Sequence, residues 1–90
     1  MIQIVYTNKF KKDIHLLQKR GYHMELIKDA ILILEEKGTL PSTFSPHKLV
    51  GNYSGYWEAH IKPDWLIIWK YFIHENEIWL TRTGSHSDLF

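Results

Sequence analysis

The 90-residue sequence contains no cysteine. Disulfide bonds, thiolate metal sites and a cysteine nucleophile are therefore excluded. The apolar run from Trp65 to Trp69 is far shorter than the ~20 residues of a membrane-spanning helix. The first residues also lack the basic and apolar regions of a secretory signal. We therefore expect a cytoplasmic protein without a membrane segment.

The sequence also has little net charge, with a formal value of +1. This balance argues against general adhesion to nucleic acid through a strongly basic surface. The charge is unevenly distributed along the chain, because residues 1–28 contain six Lys and Arg residues but only two acidic ones. This basic segment has two interpretations. It could dock on an RNA-rich particle, or it could simply be the solvent-exposed face of a helix.

The length predicts one domain, residues 1–90, with two packed layers around one core. The first half predicts a strand over residues 2–6 and two amphipathic helices. Apolar residues recur at helical spacing over 10–17 and 24–34, and Gly21 and Gly38 supply the stops. The short connection between the helices predicts an antiparallel pair.

The second half predicts an antiparallel sheet. Prolines at 41 and 46 mark residues 39–46 as a loop without regular structure. A strand over 53–61 places Trp57 on the helix-packed face and His60 on the opposite, open face. After a turn at 62–64, the apolar run 65–73 predicts a central strand covered on both sides. A last strand over 78–83 and a short tail complete an α+β fold. The sequence does not decide on which face of that strand Arg82 lies.

The open face and the tail contain the groups that metal-free phosphodiester cleavage in RNA requires. Imidazoles titrate near neutral pH and can both remove and return a proton, and arginine can bind phosphate oxygens. The candidate residues are His47, His60, Asp64, Arg82 and His86. Trp65 and Phe90 are candidates for stacking on an unstacked base. We interpret His15, His23 and His74 as surface or structural histidines.

A metal site is the alternative use of the same residues. His60 and Asp64, with His47 or His86, could supply two histidines and one carboxylate. Their spacing matches no recognised metal motif, so we expect no metal and no other cofactor. The sequence contains neither a glycine-rich phosphate loop nor a nucleophilic serine elbow.

The spacing of these residues resembles a known family. The three segments are His47-x-Leu49-x-Gly51-x-Tyr53-x-Gly55, Glu58-x-His60-Ile61-x-Pro63-Asp64-Trp65 and Arg82-x-Gly84-x-His86-x-x-Leu89-Phe90. Together they resemble the YafQ branch of the RelE/ParE toxin superfamily, whose fold also has a strand, two helices and an antiparallel sheet. One departure is Trp57, which stands where relatives carry an arginine.

The resemblance implies a type II toxin that enters the ribosomal A site and cleaves the mRNA codon there, which inhibits translation. It implies a DinJ- or RelB-like antitoxin as partner, with operator DNA bound only through that antitoxin. By position, it gives Arg82 a phosphate-binding role and gives Trp65 and Phe90 contacts to the codon or support of the site. We predict His47 as base and His86 as general acid, with His60 and Asp64 orienting groups and stabilising charge.

Two other functions stay open at the level of the sequence. The same superfamily includes ParE-like inhibitors of DNA gyrase that are not nucleases. A metal-dependent ribonuclease acting on free RNA would use the alternative ligand set.

Overall fold

The computed structural model describes residues 2–90 and contains a five-stranded sheet with two helices on one face. The strand order is β1-β5-β4-β3-β2, in which only β1 and β5 are parallel within the described residues. The prediction of an α+β fold with helices on a mainly antiparallel sheet is confirmed. The elements are β1 (Gln3–Tyr6), α1 (Asn8–Lys19), α2 (Met24–Lys37), β2 (His47–Lys48), β3 (Tyr56–Lys62), β4 (Trp65–Phe72), β5 (Glu77–Gly84) and α3 (His86–Leu89).

The helix boundaries follow from local chemistry. The Thr7 hydroxyl accepts a hydrogen bond from the backbone N–H of Phe10 at 3.3 Å and so caps α1. Gly38 ends α2 in the left-handed conformation, at φ 79°, and its N–H donates to the Leu34 carbonyl at 2.8 Å. Among residues 2–90, no helix combines the length and the apolar character needed to cross a bilayer.

Strand β4 is buried on both faces, as its continuous apolar run predicts. Trp65, Ile67 and Trp69 pack with the helices in the main core. Leu66 and Ile68 point to the other side, which we call the open face, and pack there against Leu89 of α3. This small second apolar cluster attaches the C-terminal helix to the sheet.

Several boundaries in the second half differ from the prediction. Strand β3 begins at Tyr56, because residues 51–53 form a 3₁₀ turn and Gly55, at φ 95°, adopts a conformation that a strand does not continue. The predicted loop contains a 3₁₀ turn at Ser42–Phe44, and the predicted tail is the helix α3. The pair His47–Lys48 forms β2, a strand too short for any hydrophobic periodicity to reveal.

A β-bulge in β5 resolves the ambiguity about Arg82. Trp69 pairs with Leu80, whereas the next residue back, Ile68, pairs with Arg82, so Thr81 is an extra residue in β5. Leu80 and Thr83 therefore face the helices. Arg82 lies beside Ile68, whose side chain is on the open face.

Candidate active site

Three imidazoles form a row across the open face. His47 on β2 pairs with Glu58 on β3, and His60 lies two residues further along β3 on the same face. His86 is the first residue of α3. The ring centroids of His47 and His60 are 6.3 Å apart, and those of His60 and His86 are 6.0 Å apart. The fold thus brings together three histidines that span 40 positions of the chain.

His86 is held by Asp64, which lies in the turn between β3 and β4. The imidazole Nδ1 lies 2.6 Å from Asp64 Oδ1, and the backbone N–H of His86 donates to the same oxygen at 2.9 Å. Because Nδ1–H donates to the carboxylate, the neutral ring carries its lone pair on Nε2. Within residues 2–90, Nε2 has no hydrogen-bond partner. This nitrogen is therefore available to accept or donate a proton, and Asp64 fixes the orientation of the ring.

The position of α3 is fixed from two sides. Ser85 and Asp88 form a capping box, in which the Ser85 N–H donates to Oδ2 at 2.9 Å and the Asp88 N–H donates to Oγ at 3.1 Å. Arg20, at the end of α1, donates to Asp88 at 2.8 Å and holds the pKa of that carboxyl below its usual value. Gly84 permits this approach, since a Cβ there would lie 3.0 Å from Asp88.

His60 has the same tautomeric arrangement as His86. Its Nδ1 lies 3.3 Å from the Pro63 carbonyl oxygen, which can only accept, so Nδ1 carries the proton. Its Nε2 has no hydrogen-bond partner within residues 2–90. Two neighbouring rings therefore each present a free Nε2.

His47 is arranged differently. Its Nδ1 lies 3.0 Å from the Ser45 carbonyl oxygen and its Nε2 lies 3.2 Å from Glu58 Oε1. Both ring nitrogens thus face oxygen acceptors, and a ring with two protons donates to both. Glu58 is only 6% exposed, and within residues 2–90 its carboxylate has His47 as its polar side-chain partner.

Glu58 is a site residue that sequence reasoning missed, although a signal for it existed. Strand parity places it on the same face as His60. The burial of Glu58 and its pairing with His47 were not visible from the sequence, because β2 is too short to be recognised there.

Arg82 is bound by Asp13, which the sequence analysis did not identify. The Arg82 Nε and Nη2 donate to the two carboxylate oxygens at 2.7 and 3.1 Å, and this pairing raises the pKa of the guanidinium. The backbone N–H of Thr83 also donates to Asp13, at 3.1 Å. Nη1 has no protein partner within residues 2–90, so a phosphate contact by Arg82 would fall to that nitrogen.

The two candidate aromatics differ in exposure, and the expectation that Trp65 stacks on a base is wrong. Trp65 is 2% exposed and faces the helices, where Tyr22 meets it edge-on at 5.0 Å. Its indole N–H donates to the Thr83 hydroxyl at 3.0 Å. Trp65 therefore supports the turn that holds Asp64. Phe90 is 60% exposed and lies edge-on to Tyr53 at 5.3 Å.

Comparison with known proteins identifies the family to which this chain belongs. Residues 2–90 match the family described as "Bacterial toxin of type II toxin-antitoxin system, YafQ". The chain belongs to the YafQ toxin family. It is 37% identical over 93 residues to the mRNA interferase toxin YafQ of Escherichia coli K12, which covers all of this chain and 99% of that protein.

Solved structures of similar toxins support the same assignment. The E. coli DinJ–YafQ complex contains a chain with a TM-score of 0.88 and 34% identity, covering 100% of this chain and 99% of that one. A metal-bound toxin from Helicobacter pylori has a TM-score of 0.90 and 34% identity, covering both chains completely. The predicted family and its RelE-like fold are thereby confirmed.

The candidate ligands of the alternative metal site make other contacts in the described part of the chain. Within residues 2–90, no group of three or more His, Cys, Asp or Glu side chains is placed to hold a metal ion. Of the candidate ligands, Asp64 is paired with His86, His47 is paired with Glu58, and His60 lies within hydrogen-bond distance of the Pro63 carbonyl oxygen.

The bond between Asp64 and His86 gives a testable pH dependence. The His86 backbone N–H, and then its imidazole, donate to Asp64 and lower the pKa of that carboxyl. Ionised Asp64 therefore stabilises the fold above its unfolded-state pKa of about 3.9, and this contribution is lost as pH falls through the folded-state pKa. A carboxyl ¹³C NMR titration should give a midpoint below that of an ordinary aspartate.

The variant His86→Ala separates the two donors, because it keeps the backbone N–H and removes the ring. Its Asp64 midpoint should rise part of the way towards the ordinary value. The exposed His74 supplies the control, and His74→Ala should leave the midpoint unchanged. A wild-type midpoint at or above the ordinary value would refute the described hydrogen bonds.

Proposed function

We propose that this YafQ-family toxin cleaves mRNA at the codon in the ribosomal A site and thereby stops translation in the cytoplasm. The observation that carries the proposal is the row of three imidazoles about 6 Å apart, two of which present a free Nε2. The full-length relative at 37% identity is named an mRNA interferase, which supports RNA as the substrate.

The chemistry is attack of a ribose 2′-oxygen on the neighbouring phosphorus. One base removes the 2′-OH proton, the P–O5′ bond breaks, and one acid protonates the leaving 5′-oxygen. The products are a 2′,3′-cyclic phosphate and a 5′-hydroxyl. Adjacent rings with centroids 6.0 Å apart suit the two sides of one phosphate, so we assign the two proton transfers to His60 and His86.

His47 and Arg82 contact the phosphate in this proposal. Both ring nitrogens of His47 are already engaged, with Ser45 and Glu58, so this ring is less suited to the base role expected from sequence than His60 or His86. Arg82 contributes through Nη1, while Asp13 fixes its orientation. Both groups would stabilise the developing charge on the phosphate oxygens.

The proposed partner is a DinJ- or RelB-like antitoxin. Support comes from the E. coli relative, which was solved in complex with DinJ. We expect operator DNA to be contacted through the antitoxin and not by this chain, whose net charge is only +1.

A reconstituted translation reaction tests the proposed activity. A defined mRNA is incubated with the toxin, with and without ribosomes, and the cut sites are mapped to single-nucleotide resolution. We expect cuts within the A-site codon that require ribosomes. Intact mRNA together with gyrase-linked DNA breaks would instead support the ParE-like alternative. Cleavage of free RNA that a chelator abolishes would support the metal-dependent one.

A further inference from the structure

We propose that the open face also carries a binding track for single-stranded RNA, which holds nucleotides beyond the scissile bond. This inference rests on the proposed function for the identity of the ligand. The track consists of five aromatic rings with one lysine among them. Its members are Phe90, Tyr53, Tyr56, Lys70, Phe72 and Trp79.

Each member of the track lies within about 6 Å of the next. From Phe90 the next ring is Tyr53 at 5.3 Å, and Tyr56 follows at 6.2 Å. The ammonium of Lys70 then lies 5.2 Å from the Tyr56 ring and 5.5 Å from the Phe72 ring. The last step is from Phe72 to Trp79, at 4.8 Å.

Strand register places the track on the same face as the histidines. Lys70 pairs with Tyr56 on β3 and with Trp79 on β5, and Phe72 lies two residues further along β4. Tyr56 lies two residues before Glu58, the partner of His47. The track therefore continues from the row of imidazoles across three strands of one face.

The chemistry of the track fits RNA. Proteins that bind single strands combine aromatic rings, on which successive bases stack, with cations along the backbone path. Lys70 makes no ion pair within residues 2–90, so its charge is available to a phosphate. Trp79 is 37% exposed, and its indole N–H donates to Glu77 at 3.0 Å, which orients the ring before any ligand binds.

An NMR titration of the full chain tests the track without any need for cleavage. The probes are single-stranded 2′-O-methyl RNAs of about 12 and about three nucleotides, which cannot undergo 2′-oxygen attack. We expect the longer RNA to shift the amide signals of Tyr56, Lys70, Phe72 and Trp79. The shorter one should shift mainly His60 and His86.

Two variants and a matched control accompany the titration. Trp79→Ala and Lys70→Gln should each weaken binding of the longer RNA, by about tenfold for the tryptophan, and leave the shorter RNA unaffected. The control Leu32→Ala removes a large side chain, 59% exposed, from α2 and should change neither affinity. A thermal melt of each variant confirms that it is folded.

The proposal is overturned if the longer RNA shifts no track residue, or if both variants bind it as the wild type does. It is also overturned if these variants weaken only the complex with the antitoxin, since the face would then serve a protein partner. Failure of the nuclease proposal would appear separately, as intact translated mRNA while the track still bound RNA.

Discussion

Replacing His86 with alanine is expected to lower the rate of mRNA cleavage by about 10²- to 10⁴-fold, the usual contribution of a general acid or base. The variant removes a free Nε2 that Asp64 orients through a 2.6 Å hydrogen bond. The ring is largely exposed, so stability should change little. Cleavage rates on a translated mRNA, with circular dichroism to verify folding, measure both quantities.

The matched control is His74→Ala, which removes an exposed imidazole in the turn between β4 and β5 and should cleave at the wild-type rate. His60→Ala should lose activity to a similar extent, because the rings of His60 and His86 are neighbours. Undiminished cleavage by both His86→Ala and His60→Ala would contradict the assignment of proton transfer to this pair.

Replacing Trp65 with alanine is expected to lower the free energy of unfolding by about 3–5 kcal/mol, the usual cost of truncating a large buried aromatic side chain. Trp65 is 2% exposed and packs between Tyr22 and the sheet. Phe90→Ala, at a side chain 60% exposed, should change that free energy by less than about 0.5 kcal/mol. Urea unfolding followed by far-UV circular dichroism gives both values.

Trp65→Phe tests how much of the stability loss in Trp65→Ala comes from the indole hydrogen bond. It keeps an aromatic ring but removes the N–H that donates to Thr83 at 3.0 Å. Thr83 still donates to the Leu66 carbonyl at 2.6 Å, so the loss should be about 1–3 kcal/mol, smaller than that of the alanine variant. A Trp65→Ala protein as stable as the wild type would show that this side chain is not part of the core.

The sequence predicts the parts of the fold that depend on periodicity. Apolar spacing located α1, α2 and the doubly buried β4, and Gly38 marked the end of α2. Alternation along β3 correctly placed His60 on the open face and Trp57 on the helix-packed face. These features were accessible because each depends on a repeat of 3.6 or 2 residues within one element.

The remaining features depend on contacts between distant residues. The bulge at Thr81 shifts the register of β5, and the residues around it do not predict a bulge. Asp13 meets Arg82 across 69 positions, and Arg20 meets Asp88 across 68. Trp65 contacts Tyr22 and Thr83, which lie 43 and 18 positions away in the chain, and these contacts place it in the core rather than beside the substrate. Such partners become visible only when the packing is known.

In the proposed reaction, His60 and His86 drive attack of the 2′-oxygen on mRNA in the A site. The most direct measurement is the chemistry of the ends produced from a translated mRNA, analysed by mass spectrometry of the fragments. We expect a 2′,3′-cyclic phosphate on the upstream fragment and a 5′-hydroxyl on the downstream one. A 3′-hydroxyl with a 5′-phosphate would show attack by water and would contradict it.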